Sequence, residues 1–202
     1  MAEAVVAGGA SAIRTEGLAN VRAIRARVPV PIIGLVKRHR PDTDVYITPT
    51  IEDVNDIAAA GADIIAFDAT ARPRPVPVAR LIDAVHRQGR LAMADISTVG
   101  EAKSALAAGA DVMSTTMAGY TSYSQSDAGP DFALMQALNR AGIPFAAEGR
   151  VWTLAEGLKC FDLGASFIVV GSAITRPTVI TQRFAEGIAA RTHAAAPRKA
   201  LS

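Results

Sequence analysis

The chain has 202 residues, of which 50% are hydrophobic and only 5% aromatic, and its net charge is +2 at pH 7. This length fits one domain with a single core, and the spread of Lys and Arg along the chain argues against nucleic acid as a partner. No apolar run reaches the roughly 18 residues of a membrane span, the first residues lack the pattern of a secretion signal, and the single cysteine, Cys160, excludes an internal disulfide framework. We therefore expect a cytoplasmic protein that binds neither nucleic acid nor membranes, with Cys160 buried.

Short apolar runs alternate with amphipathic segments along the chain. The runs predict strands over residues 12–14, 32–37, 63–68, 91–95, 111–116, 144–148 and 167–171. Three- and four-residue apolar spacing predicts helices that include residues 2–7, 53–60, 78–86, 101–108, 132–139 and 154–163. The strand runs are apolar at both parities, which is typical of a parallel sheet covered by helices on both sides.

Three similar triplets, Gly-Ala-Asp or Gly-Ala-Ser, start at Gly61, Gly109 and Gly164 and lie between a predicted helix and the next strand. Their spacing of about 50 residues matches two βα units of an eight-unit barrel, although a doubly wound sheet shares the local signals. We predict a (β/α)8 TIM barrel that lacks its first strand in this sequence, because seven strands are visible and the chain opens in a helix. We expect the true start to lie upstream.

Polar residues close several of the apolar runs. In such barrels the active site lies at the carboxyl ends of the strands, so these residues are candidates for function. Lys37 ends the second run and Glu148 ends the sixth. An amine with apolar surroundings can lose its proton, and a lysine paired with a carboxylate suits removal and return of a proton next to a carbonyl.

Other strand ends add further candidates. Arg14 ends the first run, Asp68 the third, Asp95 the fourth, and Thr115 and Thr116 the fifth. Arg14 can clamp a substrate or pair with one of these acids, and Asp95 can contact substrate or orient Lys37. An ion pair between Lys37 and Asp68 is the structural alternative to a catalytic lysine.

The last two loops suggest a phosphate site. Gly149 and Arg150 follow the sixth run, and Gly171 and Ser172 follow the seventh, each before a helix start. This is the usual phosphate position in these barrels, and Arg176 can add positive charge.

Two other groups of residues favour structural interpretations. The arginines of segment 72–90 predict a solvated loop and helix face rather than a polyanion patch. The three histidines (His39, His86 and His193) lack the spacing of metal ligands, so no metal is expected.

From Met1 to Phe184 the motifs resemble the N-acetylmannosamine-6-phosphate 2-epimerase family. The segments that carry the resemblance are Gly8-Gly9-Ala10 with Ile13-Arg14, Ile33-Gly34-Leu35-Val36-Lys37-Arg38, Val45-Tyr46-Ile47-Thr48-Pro49-Thr50, Asp68-Ala69-Thr70 with Arg74-Pro75, residues 91–98, Ser114-Thr115-Thr116 with Gly119-Tyr120-Thr121, Glu148-Gly149-Arg150, and residues 170–177.

The resemblance implies an isomerase without a cofactor that interconverts N-acetylmannosamine-6-phosphate and N-acetylglucosamine-6-phosphate in sialic acid and amino sugar catabolism. It implies proton transfer by Lys37 with Glu148 as the acidic partner, substrate contacts by Arg14 and Asp95, and phosphate contacts by Arg176 and the glycine loops. Family members begin with an additional strand, carrying a Ser-Cys-Gln-Ala-like motif, that this sequence does not show.

We also place Thr115 and Tyr120 among the residues that contact substrate, and expect a homodimer. The predicted division is an epimerase domain over residues 1–186 and an Ala-rich tail over 187–202. The alternatives are another sugar-phosphate epimerase or isomerase on the same barrel, and a phosphosugar-binding remnant without catalysis.

Overall fold

The computed structural model describes residues 1–124 and 128–195. Its seven strands form one sheet in which each strand pairs in parallel with the next strand of the chain. The strands are β1 (Ile13–Glu16), β2 (Ile32–Leu35), β3 (Ile64–Asp68), β4 (Leu91–Asp95), β5 (Val112–Ser114), β6 (Phe145–Glu148) and β7 (Phe167–Val169). All seven predicted strands are confirmed, with small shifts at their ends.

Helices separate the strands and cover the outside of the sheet. They are α1 (Ala2–Ala7), α2 (Leu18–Arg25), α3 (Ile51–Ala60), α4 (Val78–Arg87), α5 (Val99–Ala107), α6 (Phe132–Arg140), α7 (Leu154–Asp162), α8 (Ser172–Thr175) and α9 (Pro177–Ala195), with a 3-10 turn at Thr115–Met117. This architecture confirms the TIM barrel. Among the described residues the ring has seven strands and is open between β7 and β1.

The predicted boundary between residues 186 and 187 lies inside α9, which continues without a break to Ala195. Residues 196–202 of the predicted tail lie outside the described residues. The division into an epimerase domain and a tail therefore stays a prediction.

The pleat of the strands sorts side chains into two apolar layers. The larger layer lies between strands and helices and includes Ile65, Phe67 and Cys160, which confirms that Cys160 is buried. The smaller layer fills the inside of the ring and consists of Ile33, Leu35, Ile47, Ala66, Met93, Met117 and Ala146. Since alternate residues of a strand face the same side, the residue two positions after Ala66, Met93 or Ala146 also faces the inside.

The three repeated glycines end their helices as predicted. Gly61, Gly109 and Gly164 have φ angles of +104°, +96° and +96°, a left-handed conformation that glycine adopts at little cost. Each turn leads within three residues into the next strand, β3, β5 or β7.

Gly34 on β2 allows close packing of the sheet against the helical layer. A Cβ atom at this position would lie 2.7 Å from Ile57 Cγ2 and 2.8 Å from Ala62 Cβ. We expect Gly34→Ala to lower the free energy of unfolding by about 1–3 kcal/mol through overpacking, as measured by urea denaturation. The matched control is Gly187→Ala in α9, where a Cβ meets no atom within 4 Å; equal stability of the two variants would contradict the prediction.

Candidate active site

Arg14 connects two acidic side chains inside the ring. Its Nη2 donates a hydrogen bond of 2.7 Å to Asp95 Oδ2 and its Nε lies 3.1 Å from Glu148 Oε2. Asp95 is fully buried, and the side chains of Arg14 and Glu148 are 8% and 19% exposed. Because β1, β4 and β6 supply these residues, one guanidinium spans the interior of the barrel near its carboxyl end.

The cluster shifts the proton affinities of its members. Burial raises the pKa of Asp95 above its ordinary value, and the neighbouring Arg14 opposes that shift only in part. Burial also raises the pKa of Glu148, with Arg14 opposing and the negative charge of Asp95 adding to the shift. For Arg14, burial disfavours the charged form, but the two carboxylates outweigh it and its pKa lies above the ordinary value. The cluster thus has one positive charge for two carboxyl groups, and the pKa of each carboxyl group is raised.

Two threonines of the 3-10 turn after β5 hold this cluster. Thr115 is buried, and its hydroxyl donates to the backbone oxygen of Glu148 at 2.9 Å and accepts from its backbone N–H at 3.0 Å. Thr116 contacts the carboxylates themselves, with its Oγ1 2.8 Å from Asp95 Oδ1 and 3.1 Å from Glu148 Oε2. The sequence predicts Thr116 as a strand-end candidate but assigns it no contact; Thr116 lies two residues after Ser114, which pairs with Asp95 in register.

Lys37 lies two residues beyond the end of β2, where its backbone forms an antiparallel bridge with Ile47. Its side chain is exposed, so the expectation of apolar walls around it is wrong. Strand β2 ends at Leu35, and the chain is buried only as far as Val36. The positive charge of Lys37 acts on Glu148, where it opposes the larger effect of burial that raises the pKa. Lys37 and Glu148 therefore lie at the same end of the barrel.

The loop after β6 turns sharply. Gly149 and Arg150 have φ angles of +110° and +57°, and a Cβ on Gly149 would meet no atom within 4 Å. The guanidinium of Arg150 donates to the backbone oxygens of Gly129 and Ala118 at 2.8 and 3.0 Å. Arg150 thereby ties this loop to the loop after β5, so any phosphate contact uses its remaining donors.

The loop after β7 leaves Gly171 open, since a Cβ added to this residue would meet no atom within 4 Å. Ser172 starts α8, and Arg176 follows its last residue and is exposed. These residues lie beyond the carboxyl end of β7, next in the ring to the loop after β6. The five predicted phosphate-binding residues therefore come from neighbouring loops, and their role stays a prediction.

A cavity of about 420 Å³ lies among the loops after β2, β3 and β5. Tyr120, which is 56% exposed, lines it together with Tyr46, His39 and Arg72. The rings of His39 and Tyr46 stack with centroids 5.2 Å apart, and Tyr46 also packs on the inner apolar layer. Tyr120 is thus the member of the predicted site that borders this cavity.

Asp68 pairs with arginines of its own loop rather than with Lys37. Its fully buried carboxylate lies 2.5 Å from Arg72 Nη2 and 3.2 Å from Arg74 Nη2, and it accepts hydrogen bonds from Thr70. Both arginine side chains are only 12% exposed. The expectation of a solvated basic loop is therefore wrong for Arg72 and Arg74, because both form ion pairs with the buried carboxylate of Asp68.

Replacing Asp68 with asparagine should lower the free energy of unfolding by about 3–5 kcal/mol, since two nearly buried guanidinium groups lose their counter-charge. Thermal and urea unfolding measure the effect. Asp42→Asn is the matched control, because the Asp42–Arg40 pair is exposed on both sides and its loss should leave stability unchanged. A small effect of Asp68→Asn, similar to that of the control, would show that these contacts do not stabilise the fold.

Metal-binding clusters and membrane-spanning helices are both absent from the part of the chain that the structure describes. Across residues 1–124 and 128–195, no group of three or more His, Cys, Asp and Glu side chains is arranged to hold a metal ion. Within the same ranges, no helix has both the length and the apolar character needed to cross a membrane.

Comparison with known proteins identifies relatives over most of the chain. Residues 1–190 match a family model described as putative N-acetylmannosamine-6-phosphate epimerase. A putative N-acetylmannosamine-6-phosphate 2-epimerase of Clostridium perfringens is 46% identical over 92% of this chain and 86% of its own length. A bifunctional NanE/NanK enzyme of Brucella melitensis is 49% identical over 93% of this chain and 36% of its own length. The chain thus spans about a third of the Brucella relative.

Solved structures support the same assignment. The N-acetylmannosamine-6-phosphate 2-epimerase of Clostridium perfringens superposes with a TM-score of 0.89 at 45% sequence identity, covering 92% of this chain and 82% of that one. The similarity therefore extends over most of both chains. Since the family model also covers nearly the whole sequence, the chain belongs to the N-acetylmannosamine-6-phosphate epimerase family.

Proposed function

We propose that this chain interconverts N-acetylmannosamine-6-phosphate and N-acetylglucosamine-6-phosphate by moving a proton at C2 of the sugar. The observation that carries the proposal is that the charge of Lys37 acts on a carboxyl group, Glu148, whose pKa is raised by burial. An amine and a carboxylic acid at one site can remove and return a proton next to a carbonyl. The family to which the chain belongs supports the choice of substrate.

In the proposed reaction Glu148 first assists opening of the sugar ring to the aldehyde. The amine of Lys37 then takes the C2 proton, and the electron pair of the C–H bond moves to the aldehyde oxygen as an enolate. The carboxyl group of Glu148 donates a proton to the other face of C2 and the aldehyde reforms. Return of one proton from Lys37 to Glu148 restores both groups.

Arg14 contacts the sugar in this proposal, and Asp95 supports Arg14. Asp95 has no exposed surface and both of its oxygens are hydrogen-bonded to other side chains, so its contribution is to orient Arg14. The guanidinium of Arg14 has the charge that favours a developing enolate. Thr115 acts through the backbone of Glu148, and Tyr120 borders the sugar from the adjacent cavity.

The phosphate group is proposed to bind at the loops after β6 and β7. Gly149 and Gly171 have open space where other residues carry a Cβ, which lets an anion approach the backbone N–H groups. Ser172 and the remaining donors of Arg150 add hydrogen bonds, and the exposed Arg176 adds charge.

The finer expectations of a homodimer and a cytoplasmic location also stay proposals from the sequence.

Proton NMR tests the activity directly. Purified chain should convert N-acetylmannosamine-6-phosphate to the glucosamine epimer, and in deuterated water should incorporate deuterium at C2. Two parallel reactions, with the unphosphorylated sugar and with an unacetylated hexosamine phosphate, should be much slower. Preference for the unacetylated sugar would favour another sugar-phosphate epimerase, and binding without turnover would favour a remnant; either result contradicts the proposal.

A further inference from the structure

Three side-chain oxygens surround the hydroxyl group of Thr116. Asp95 Oδ1 lies at 2.8 Å, Glu148 Oε2 at 3.1 Å and Ser114 Oγ at 2.8 Å. Two of these oxygens belong to acids that the proposed reaction uses or relies upon. The contact therefore joins the two carboxyl groups through one atom.

Counting hydrogens limits the protonation states that satisfy this arrangement. A hydroxyl group donates one hydrogen bond and accepts two. If both Asp95 and Glu148 were ionised, Thr116 could donate to only one of them, and the second carboxylate would face an oxygen lone pair without a hydrogen between. All three contacts are satisfied together when Ser114 and one carboxyl group donate to Thr116 while Thr116 donates to the other carboxylate.

The distances indicate which acid carries the proton. Asp95 receives the shorter contacts from both Thr116 and Arg14, at 2.8 and 2.7 Å, whereas both contacts of Glu148 are 3.1 Å. The short hydrogen bond from the charged Arg14 favours the ionised form of Asp95, and the hydrogen bond from the Thr116 hydroxyl adds to this effect. The geometry therefore favours Asp95 as the carboxylate and Glu148 as the carboxylic acid.

Two other charged groups act against this assignment. Lys37 lowers the pKa of Glu148 and Asp68 raises the pKa of Asp95, but each effect is smaller than the effect of Arg14 on the same acid, and only Asp95 also accepts a hydrogen bond from Arg14. Asp68 is itself paired with two arginines, and Tyr46 is the neighbouring titratable group of the loop after β2. The pair and Arg14 thus carry no net charge when a single proton is bound.

We propose that Thr116 is a positioning residue that keeps one proton on the Asp95–Glu148 pair and places it on Glu148. The inference rests on the proposed function for its purpose, because Glu148 must hold a proton in order to donate it to C2. Thr116 itself transfers no proton to the sugar. Thr116 favours the form of the pair in which Glu148 carries the proton that it donates to C2.

The test compares Thr116→Val, which keeps the shape but removes the hydroxyl, with Thr116→Ser, which keeps the hydroxyl. The first measurement is a ¹³C NMR titration of the Asp95 and Glu148 carboxyl carbons in chain without sugar. In the unchanged chain the higher of the two titration steps should appear on Glu148. In Thr116→Val the pH interval over which the pair holds one proton should narrow by about one pH unit, and Thr116→Ser should restore it.

The second measurement is the pH profile of kcat/KM. In Thr116→Val the pH range of high kcat/KM should narrow by the same amount as the pH interval over which the pair holds one proton. Its kcat should fall about tenfold or more with little change in KM. Thr116→Ser should recover most of the rate. Thr181→Val, on the exposed face of α9, is the matched control and should leave both measurements unchanged.

Distinct outcomes separate this inference from the proposed function. An unchanged titration in Thr116→Val would overturn the role of Thr116, whatever the activity, and so would a proton found on Asp95 in the unchanged chain. That last measurement decides the matter even if Thr116→Val does not fold. Absence of epimerase activity in the unchanged chain would instead count against the proposed function and leave the titration result standing.

Discussion

Replacing Lys37 with methionine should lower kcat by about 10²–10⁴-fold, the usual contribution of a general base. The variant keeps most of the side-chain length but lacks the amine that takes the C2 proton. Exchange of the C2 hydrogen with deuterated water, followed by proton NMR, should fall by the same factor. Binding of the phosphorylated sugar, measured by calorimetry, should persist, because the proposed phosphate contacts lie on the loops after β6 and β7.

Lys103→Met is the matched control for this experiment. Lys103 is exposed on α5, on the outer layer of the barrel, so its removal should change neither exchange nor turnover. Normal C2 exchange in Lys37→Met would reject the proposed role of Lys37. Because Lys37 is exposed and outside the apolar layers, loss of activity in this variant should occur without loss of stability.

Replacing Arg14 with methionine should combine a loss of activity with a loss of about 3–5 kcal/mol in the free energy of unfolding. The variant leaves two carboxyl groups, one of them fully buried, without the cation that they share. Urea denaturation measures the stability, and the NMR assay measures the activity.

The destabilisation of Arg14→Met should depend on pH. Arg14 opposes the rise in the pKa of Asp95 and Glu148, so its removal raises both pKa values further above those of the unfolded chain. The folded variant then binds more protons than the unfolded chain, and its stability falls as the pH rises from about 4 through the folded pKa values. The difference from the unchanged chain should therefore be larger at pH 8 than at pH 5.

Arg22→Met, an exposed position on α2, controls for removal of an arginine elsewhere. Its stability should follow that of the unchanged chain at both pH values. A pH-independent loss in Arg14→Met would mean that the effect comes from lost packing, for example of the contact between Arg14 Nη1 and Met93 Sδ at 3.4 Å, rather than from the two acids.

The cluster of Arg14, Asp95 and Glu148 could be predicted from the sequence because side chains alternate strictly between the two faces of a strand. Asp95 and Glu148 follow the inward-facing Met93 and Ala146 by two residues, so locating the strands was enough to direct both acids inward. Arg14 follows from the same rule, since it pairs in register with the inward-facing Ile33. These predictions needed no knowledge of the loops.

The loops were harder to predict because contacts between distant segments decide their course. The exposure of Lys37 results from an early end of β2 and from the bridge to Ile47, a pairing that no local pattern indicates. Arg72 and Arg74 turn inward because Asp68 is buried beside them, although their composition alone resembles a solvated loop. Thr116 was visible as a polar residue at a strand end, but its position between two acids requires coordinates.

The ion pairs of Arg14 with Asp95 and Glu148 have a consequence for how the protein folds. The three residues come from the first, fourth and sixth strands, and they are separated by most of the length of the chain. No fragment of one or two neighbouring units can assemble this arrangement. During refolding, recovery of turnover should therefore coincide with the last step that brings distant strands together, which makes enzyme activity a sensitive reporter of completed assembly.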